Sequence, residues 1–177
     1  ALFGDVNPGG RLPVTFYTAD QAMPAFDDYT MEGRTYRYFR GTPLYPFGHG
    51  LSYTRFDYGK LKLDAARIAD TATLKVQVDV VNTGKRAGDE VVQLYVRRRD
   101  AKPGDAQQAL RGFQRVHLAA GERRSVAFDL EAQQALRHYD EARGAYAVPP
   151  GTYEVRVGSS SADIRATADF TVEARRD

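Results

Sequence analysis

ATLKVQVDVVN, residues 72–82, alternates Leu74, Val76, Val78 and Val80 with Lys75, Gln77 and Asp79. Successive side chains of an extended chain point to opposite faces, so this period of two marks a strand with one face in a core and the other in water. A turn-rich stretch follows, NTGKRAGD (82–89), and then EVVQLYVR (90–97). So short a connection predicts that the two strands form an antiparallel pair. LRGFQRVHLA (110–119), the turn AGE and RRSVAFDLE (123–131) predict a second such pair. TYEVRVGSS (152–160), introduced by PPG, and IRATADFTV (164–172) complete the series. Strands at this spacing predict an all-β, antiparallel β-sandwich, typically of about 100 residues.

Val76, Val78, Val80, Val92, Leu94, Val126, Phe128, Tyr153 and Val155 are its expected core, with residues from about 70 to 173 stable on their own. EAQQALRHY (131–139) is expected to be helical for about two turns.

The first 58 residues read differently. They hold seven of the 11 tyrosines, six of the nine phenylalanines and five of the eight prolines, with little regular alternation. This composition predicts an irregular, aromatic-rich N-terminal arm. Its strand signal is RLPVTFY (11–17), preceded by NPGG (7–10), a turn in which glycine takes positive φ.

Composition narrows the function. Apolar residues make up 42% and charged residues 27%, ordinary globular values. A formal charge of +2 supplies no long-range field for nucleic acid, and Arg97 to Arg99 read as a solvated strand end. Without cysteine there is no disulfide framework, thiolate nucleophile or thiolate metal site. No apolar run approaches the ~20 residues of a membrane helix. The first residues carry no basic segment followed by an apolar one and do not begin with Met, so the chain reads as a piece of a longer polypeptide.

Sites of chemistry are poorly supported. His49, His117 and His138 stand apart, so neither a metal nor a cofactor is expected. GSSSAD (158–163) reads as a turn rather than a nucleophile elbow, and NPGG runs into a strand rather than a phosphate-binding helix. Glycoside hydrolysis needs two facing carboxylates about 5–9.5 Å apart. Asp27 and Asp28, like Asp89 and Glu90, are sequence neighbours and read as solvated turn residues.

Six ordered blocks nonetheless carry a resemblance: LFGDVNPGGRLPVTF (2–16), EGRTYRYF (32–39), PLYPFGHGLSYTRFDY (43–58), VVNTGKRAGDEVVQLYV (80–96), LRGFQRVHLAAGERRSVAFDL (110–130) and VPPGTYEVRVGSSSADI (148–164). Together they resemble the C-terminal end of family-three glycoside hydrolases, the β-glucosidases and β-xylosidases. The resemblance implies a parent with a barrel carrying the nucleophilic aspartate, an α/β domain carrying the acid/base glutamate, and a fibronectin-type-III-like sandwich. Residues 1–56 would then be the end of the α/β domain with the interdomain linker, and 57–177 the sandwich. No catalytic residue carries over onto this chain, which is expected to be inactive alone. Periplasmic or extracellular residence is implied by the resemblance only.

The knot TPLYPFGHGLSYTRFDY (42–58) remains. Tyrosine and histidine suit sugar binding, whereas large rings beside glycine and proline suit packing. Tyr45, Phe47, His49, Leu51, Tyr53 and Phe56 are read as interdomain packing candidates, with His49 satisfying backbone groups. The expected function is therefore a structural accessory segment that braces the catalytic barrel and α/β domains. A carbohydrate-binding module making polysaccharide contact is the alternative; the absence of tryptophan weighs against it. No nucleic-acid or membrane partner is expected.

Overall fold

The computed structural model describes residues 1–21 and 24–174. After the arm and its single helical turn α1 (Thr35–Tyr38) come three short strands, β1 (Phe56–Tyr58), β2 (Lys62–Leu63) and β3 (Arg67–Ile68). The long strands are β4 (Thr73–Asn82), β5 (Gly88–Arg98), β6 (Ala109–Leu118) and β7 (Arg123–Glu131). The turn α2 (Ala132–Ala135), a small hairpin β8 (His138–Asp140) and β9 (Ala145–Ala147), then β10 (Gly151–Gly158) and β11 (Ile164–Val172) complete the chain.

Two sheets face each other, as in a fibronectin-type-III-like sandwich. In the first, β4 pairs with β7 along one side and with β1 and β2 along the other. The second runs β3-β11-β10-β5-β6, with β3 parallel to β11 and the other pairs antiparallel. All nine expected core residues lie in the buried cluster between the sheets. Leu74, Val76, Val78 and Val80 are almost wholly buried, and each such aliphatic contributes about 1.5–3 kcal/mol.

The pairings differ from the sequence expectation. β4 and β5 do not pair but lie in opposite sheets, as do β6 and β7. Each short connection is an arch across the core, and the hairpin is β5–β6. Asn82 explains the first arch. Its fully buried amide donates to the Leu118 carbonyl at 3.0 Å and the Arg86 carbonyl at 2.7 Å, and accepts from the Gly84 N–H at 3.1 Å. These bonds satisfy the turn through the opposite sheet, so it need not close a ladder.

Further expectations are corrected. The segment expected to stand on its own, about 70–173, leaves out part of the core, because Phe56 and Ile68 belong to it. The helix at 131–139 shrinks to α2, because Tyr139 continues into the β8–β9 hairpin and pairs with Tyr146. RLPVTFY forms only an isolated bridge, Phe16 to Tyr45, since Pro13 has no N–H to donate. Gly9 and Gly10 of NPGG keep negative or extended φ.

Candidate functional site: the aromatic arm and its dock

The arm folds back on itself before it meets the sandwich. The Leu12 N–H donates to the His49 carbonyl at 2.9 Å, the Gly48 N–H to the Leu12 carbonyl at 2.8 Å, and Phe16 and Tyr45 exchange bonds of 2.9 and 3.2 Å. His49 thus satisfies the backbone through its main chain rather than its ring, which lies 5.2 Å from that of Tyr45.

This folded arm docks on the outer face of the five-stranded sheet. Phe47 stacks on Tyr36 with centroids 4.3 Å apart, and Tyr36 meets Tyr95 edge-on at 5.8 Å. Tyr95 is 0% exposed although it points away from the sandwich core. Its hydroxyl donates to Gln93 Oε1 at 2.5 Å, and Gln93 Nε2 donates to the Gly48 carbonyl at 3.2 Å and the Ser159 carbonyl at 2.5 Å. Gly48 has φ of +81°, and a Cβ there would overlap the Gln93 amide, so only glycine fits this contact. Backbone bonds complete the dock: Ser161 N–H to Phe47 carbonyl at 3.0 Å, Gln107 N–H to Arg37 carbonyl at 2.7 Å. The Leu110 N–H donates to the Tyr36 hydroxyl at 3.0 Å.

A second clamp is ionic. Arg11 reaches Glu90 at 3.2 Å, and the Tyr58 hydroxyl donates to the same carboxylate at 3.1 Å. Glu90 is only 3% exposed. Burial raises its pKa, opposed by the Arg11 charge and by hydrogen bonds from Tyr58 and Arg11. Burial first and the Glu90 charge second push the Tyr58 phenol far above its ordinary value. Glu90 is therefore a structural anion, not the solvated turn residue that its sequence position suggests. A third contact joins Thr54 Oγ1 to Asn82 Oδ1 at 2.6 Å, tying the arm to the β4–β5 arch.

The six packing candidates divide. Phe47 and His49 are half-buried within the arm and its dock, and Phe56 is 7% exposed inside the sandwich core. Phe56 is thereby corrected from an interdomain residue to a core residue. Tyr45, Leu51 and Tyr53 keep large exposed surfaces, Leu51 as much as 70%. Leu2, Phe3, Phe26 and Tyr29 are further bare apolar residues of the arm. Tyr36, Gln93, Tyr95 and Arg11 were missed. The signal for Gln93 and Tyr95 lies in EVVQLYVR, where apolar residues fall on both parities and so announce a strand covered on both faces.

The other polar candidates are held in local structure. Asp28 accepts the Thr30 N–H at 2.8 Å, and hydrogen bonds from Thr30 lower its pKa. Asp89 is bound by Arg115 and by His117 at 2.6 Å, with a pKa lowered by those hydrogen bonds. Arg97 and Arg99 pair with Glu154 at 3.0 Å each, so this end of β5 is braced across strands rather than merely solvated. Tyr139 and Tyr146, exposed on the β8–β9 hairpin, meet at 73° and make no flat platform for a sugar chain. No group of three His, Cys, Asp or Glu among the described residues is placed to hold a metal.

A fibronectin-type-III-like sandwich with a docked aromatic arm is the architecture on which the comparisons converge. Residues 1–53 match the glycosyl hydrolase family 3 C-terminal domain and residues 90–161 the fibronectin type III-like domain. The chain belongs to glycosyl hydrolase family 3, whose C-terminal region it carries. It is 45% identical over 162 residues to a xylan 1,4-beta-xylosidase of Xylanibacter ruminicola, covering 92% of this chain and 18% of that protein. It is 35% identical over 176 residues to the thermostable beta-glucosidase B of Acetivibrio thermocellus, covering 92% of this chain and 23% of that one. Among solved structures, the beta-glucosidase of Kluyveromyces marxianus superposes with a TM-score of 0.85 at 36% identity, over 98% of this chain and 22% of that one. The chain thus spans about a fifth of the length of the relatives it matches.

Proposed function

We propose that this chain is the non-catalytic accessory segment of a hydrolase that cleaves β-glucosides or β-xylosides in carbohydrate metabolism, and that it braces the catalytic barrel and α/β domains of the parent. One observation carries the reading. The arm meets the sandwich through Phe47, Tyr36 and Arg11, and leaves Leu51, Tyr53 and Phe3 bare. An apolar surface of that kind calls for a cover, which neighbouring domains of the parent supply. Residues 1–56 are then the end of the α/β domain and the linker, and 57–177 the sandwich. Tyr45, Leu51 and Tyr53 are the interdomain packing residues. A relative from Salmonella typhimurium bears the name periplasmic beta-glucosidase, which supports residence in the periplasm or outside the cell.

The test has two parts. Assayed on aryl β-glucosides and β-xylosides, the 177-residue chain should show no turnover; activity that survives purification and vanishes in Asp27→Asn or Asp28→Asn would overturn the reading. In the parent enzyme, Phe3→Ser with Leu51→Ser should lower the melting temperature of the catalytic domains, while the same changes leave the isolated chain nearly unaffected, as exposed substitutions do. An unchanged parent would remove the bracing role from this surface.

A further inference from the structure

Where the arm meets the sheet near the β8–β9 hairpin, there is a cleft of about 260 Å³. Its wall carries Arg37 from α1, Arg98 from β5, Arg111 from β6, and Arg137 and His138 at β8, beside Tyr38. Among the described residues, Asp105 is the only carboxylate in that wall, and it already accepts the Lys102 N–H at 2.8 Å. Arg98 is matched by Asp100 at 2.7 Å. Among the described residues, Arg37, Arg111 and Arg137 have no carboxylate within the 4.0 Å of an ion pair. Arg37 Nε is buried and without a hydrogen-bond partner. Elsewhere on the same sheet the chain matches its arginines, as Arg97, Arg99 and Arg115 show.

Gathering guanidinium groups without counter-charge costs stability, because like charges repel most strongly where solvent is partly excluded. Arg111 stands at an exposed position, yet desolvation of its head group first and the Arg37 charge second hold its pKa below the ordinary arginine value. Aromatic rings orient two of the guanidinium planes. Arg37 lies over Tyr38 at 5.4 Å and Arg137 over Tyr146 at 5.1 Å. Planar donors so arranged suit a planar or tetrahedral oxyanion, which they bind through paired N–H bonds. The volume falls below the ~300–1,000 Å³ usual for drug-sized ligands and limits the guest to one small molecule.

We propose that this cleft binds a small oxyanion, a carboxylate or phosphate on a body no larger than a monosaccharide, held by Arg37, Arg111 and Arg137. The proposal concerns the chain alone and does not depend on its bracing role.

Titration of the 177-residue chain at low ionic strength tests it, with glucuronate, inorganic phosphate and glucose as probes, followed by calorimetry and by the arginine Nε–H resonances. Glucuronate, phosphate or both should saturate the site and shift Arg37 and Arg111, and glucose should not. Saturation by glucuronate alone marks a carboxylate site, and by phosphate alone a phosphate site. Arg111→Gln and Arg137→Gln, both at exposed positions, should each weaken binding about tenfold while circular dichroism stays unchanged and the melting temperature does not fall. Binding of glucose as strong as that of glucuronate, failure of both anions to bind, or variants that bind as well as the native chain would each overturn the proposal.

Discussion

Asp89 and Glu90 are adjacent in sequence and opposite in fate. On a strand, neighbours face opposite sides, so Asp89 meets Arg115 and His117 near the surface while Glu90 turns inward to Arg11 and Tyr58. The inward carboxylate needs its partner. Removing Arg11, as in Arg11→Met, leaves a buried charge without compensation and should cost about 3–5 kcal/mol in urea denaturation at neutral pH. The Glu90 pKa is raised above 4.5, so the folded chain holds this proton more tightly than the unfolded chain. Its contribution is therefore fully present below pH 4.5 and is lost as pH rises through the folded value. Relative to the native chain, Glu90→Gln should gain stability as pH increases across that window; a gap that stays constant with pH would contradict the buried carboxylate. A turn motif alone hid this role, because NTGKRAGD says where the chain reverses but not which of its last residues enters the core.

Among the elements, β4 was legible because its outward residues meet water and its alternation is clean. β5 was legible as a strand but not as a strand with two covered faces, since the cover comes from residues 36–48, more than 40 positions earlier. Pairing was misread for a related reason. A short connection fits either a hairpin or an arch, and the choice rests on Asn82 bonding to Leu118 in the other sheet, a contact without local signature. Side-chain faces were nevertheless readable from parity. Phe128 is 8% exposed, and its ring lies against Gly112 of β6. Phe128→Ala should accordingly cost about 3–5 kcal/mol, read from the urea midpoint, and a loss below about 1 kcal/mol would mean that the ring is not part of the core. Phe47→Ala acts on a different layer. It should speed amide exchange at Ser161, Gly48 and Leu12, whose N–H groups bond within the dock, and leave the β4 amides as protected as before.

At the scale of the whole molecule, the arm adds a layer to the sandwich. The sequence reading set it apart because its rings follow no period, and Leu51 and Tyr53 lie bare on it. Its inner side closes the sheet over Gln93 and Tyr95, residues that only a covered face can carry. A chain shortened to begin near Arg55 would keep both sheets, including β1 and its pairing with β4. It would lose Tyr36 and Phe47 from above Tyr95, Gly48 from above Gln93, and Arg11 from Glu90. The uncovered strip along β5 would join Leu110 and Phe113 of β6, an apolar face beside an edge strand, which tends to find a partner. Two consequences follow together. The shortened chain should melt lower than the 177-residue chain, and sedimentation should show it self-associating more strongly than the longer chain. Amide exchange separates the causes, because loss of the cover exposes β5 amides first, whereas a general loss of stability accelerates β4 and β7 equally. If the shortened chain associates no more than the longer one and melts as it does, the contacts of Tyr36, Phe47 and Arg11 contribute little to holding the sandwich.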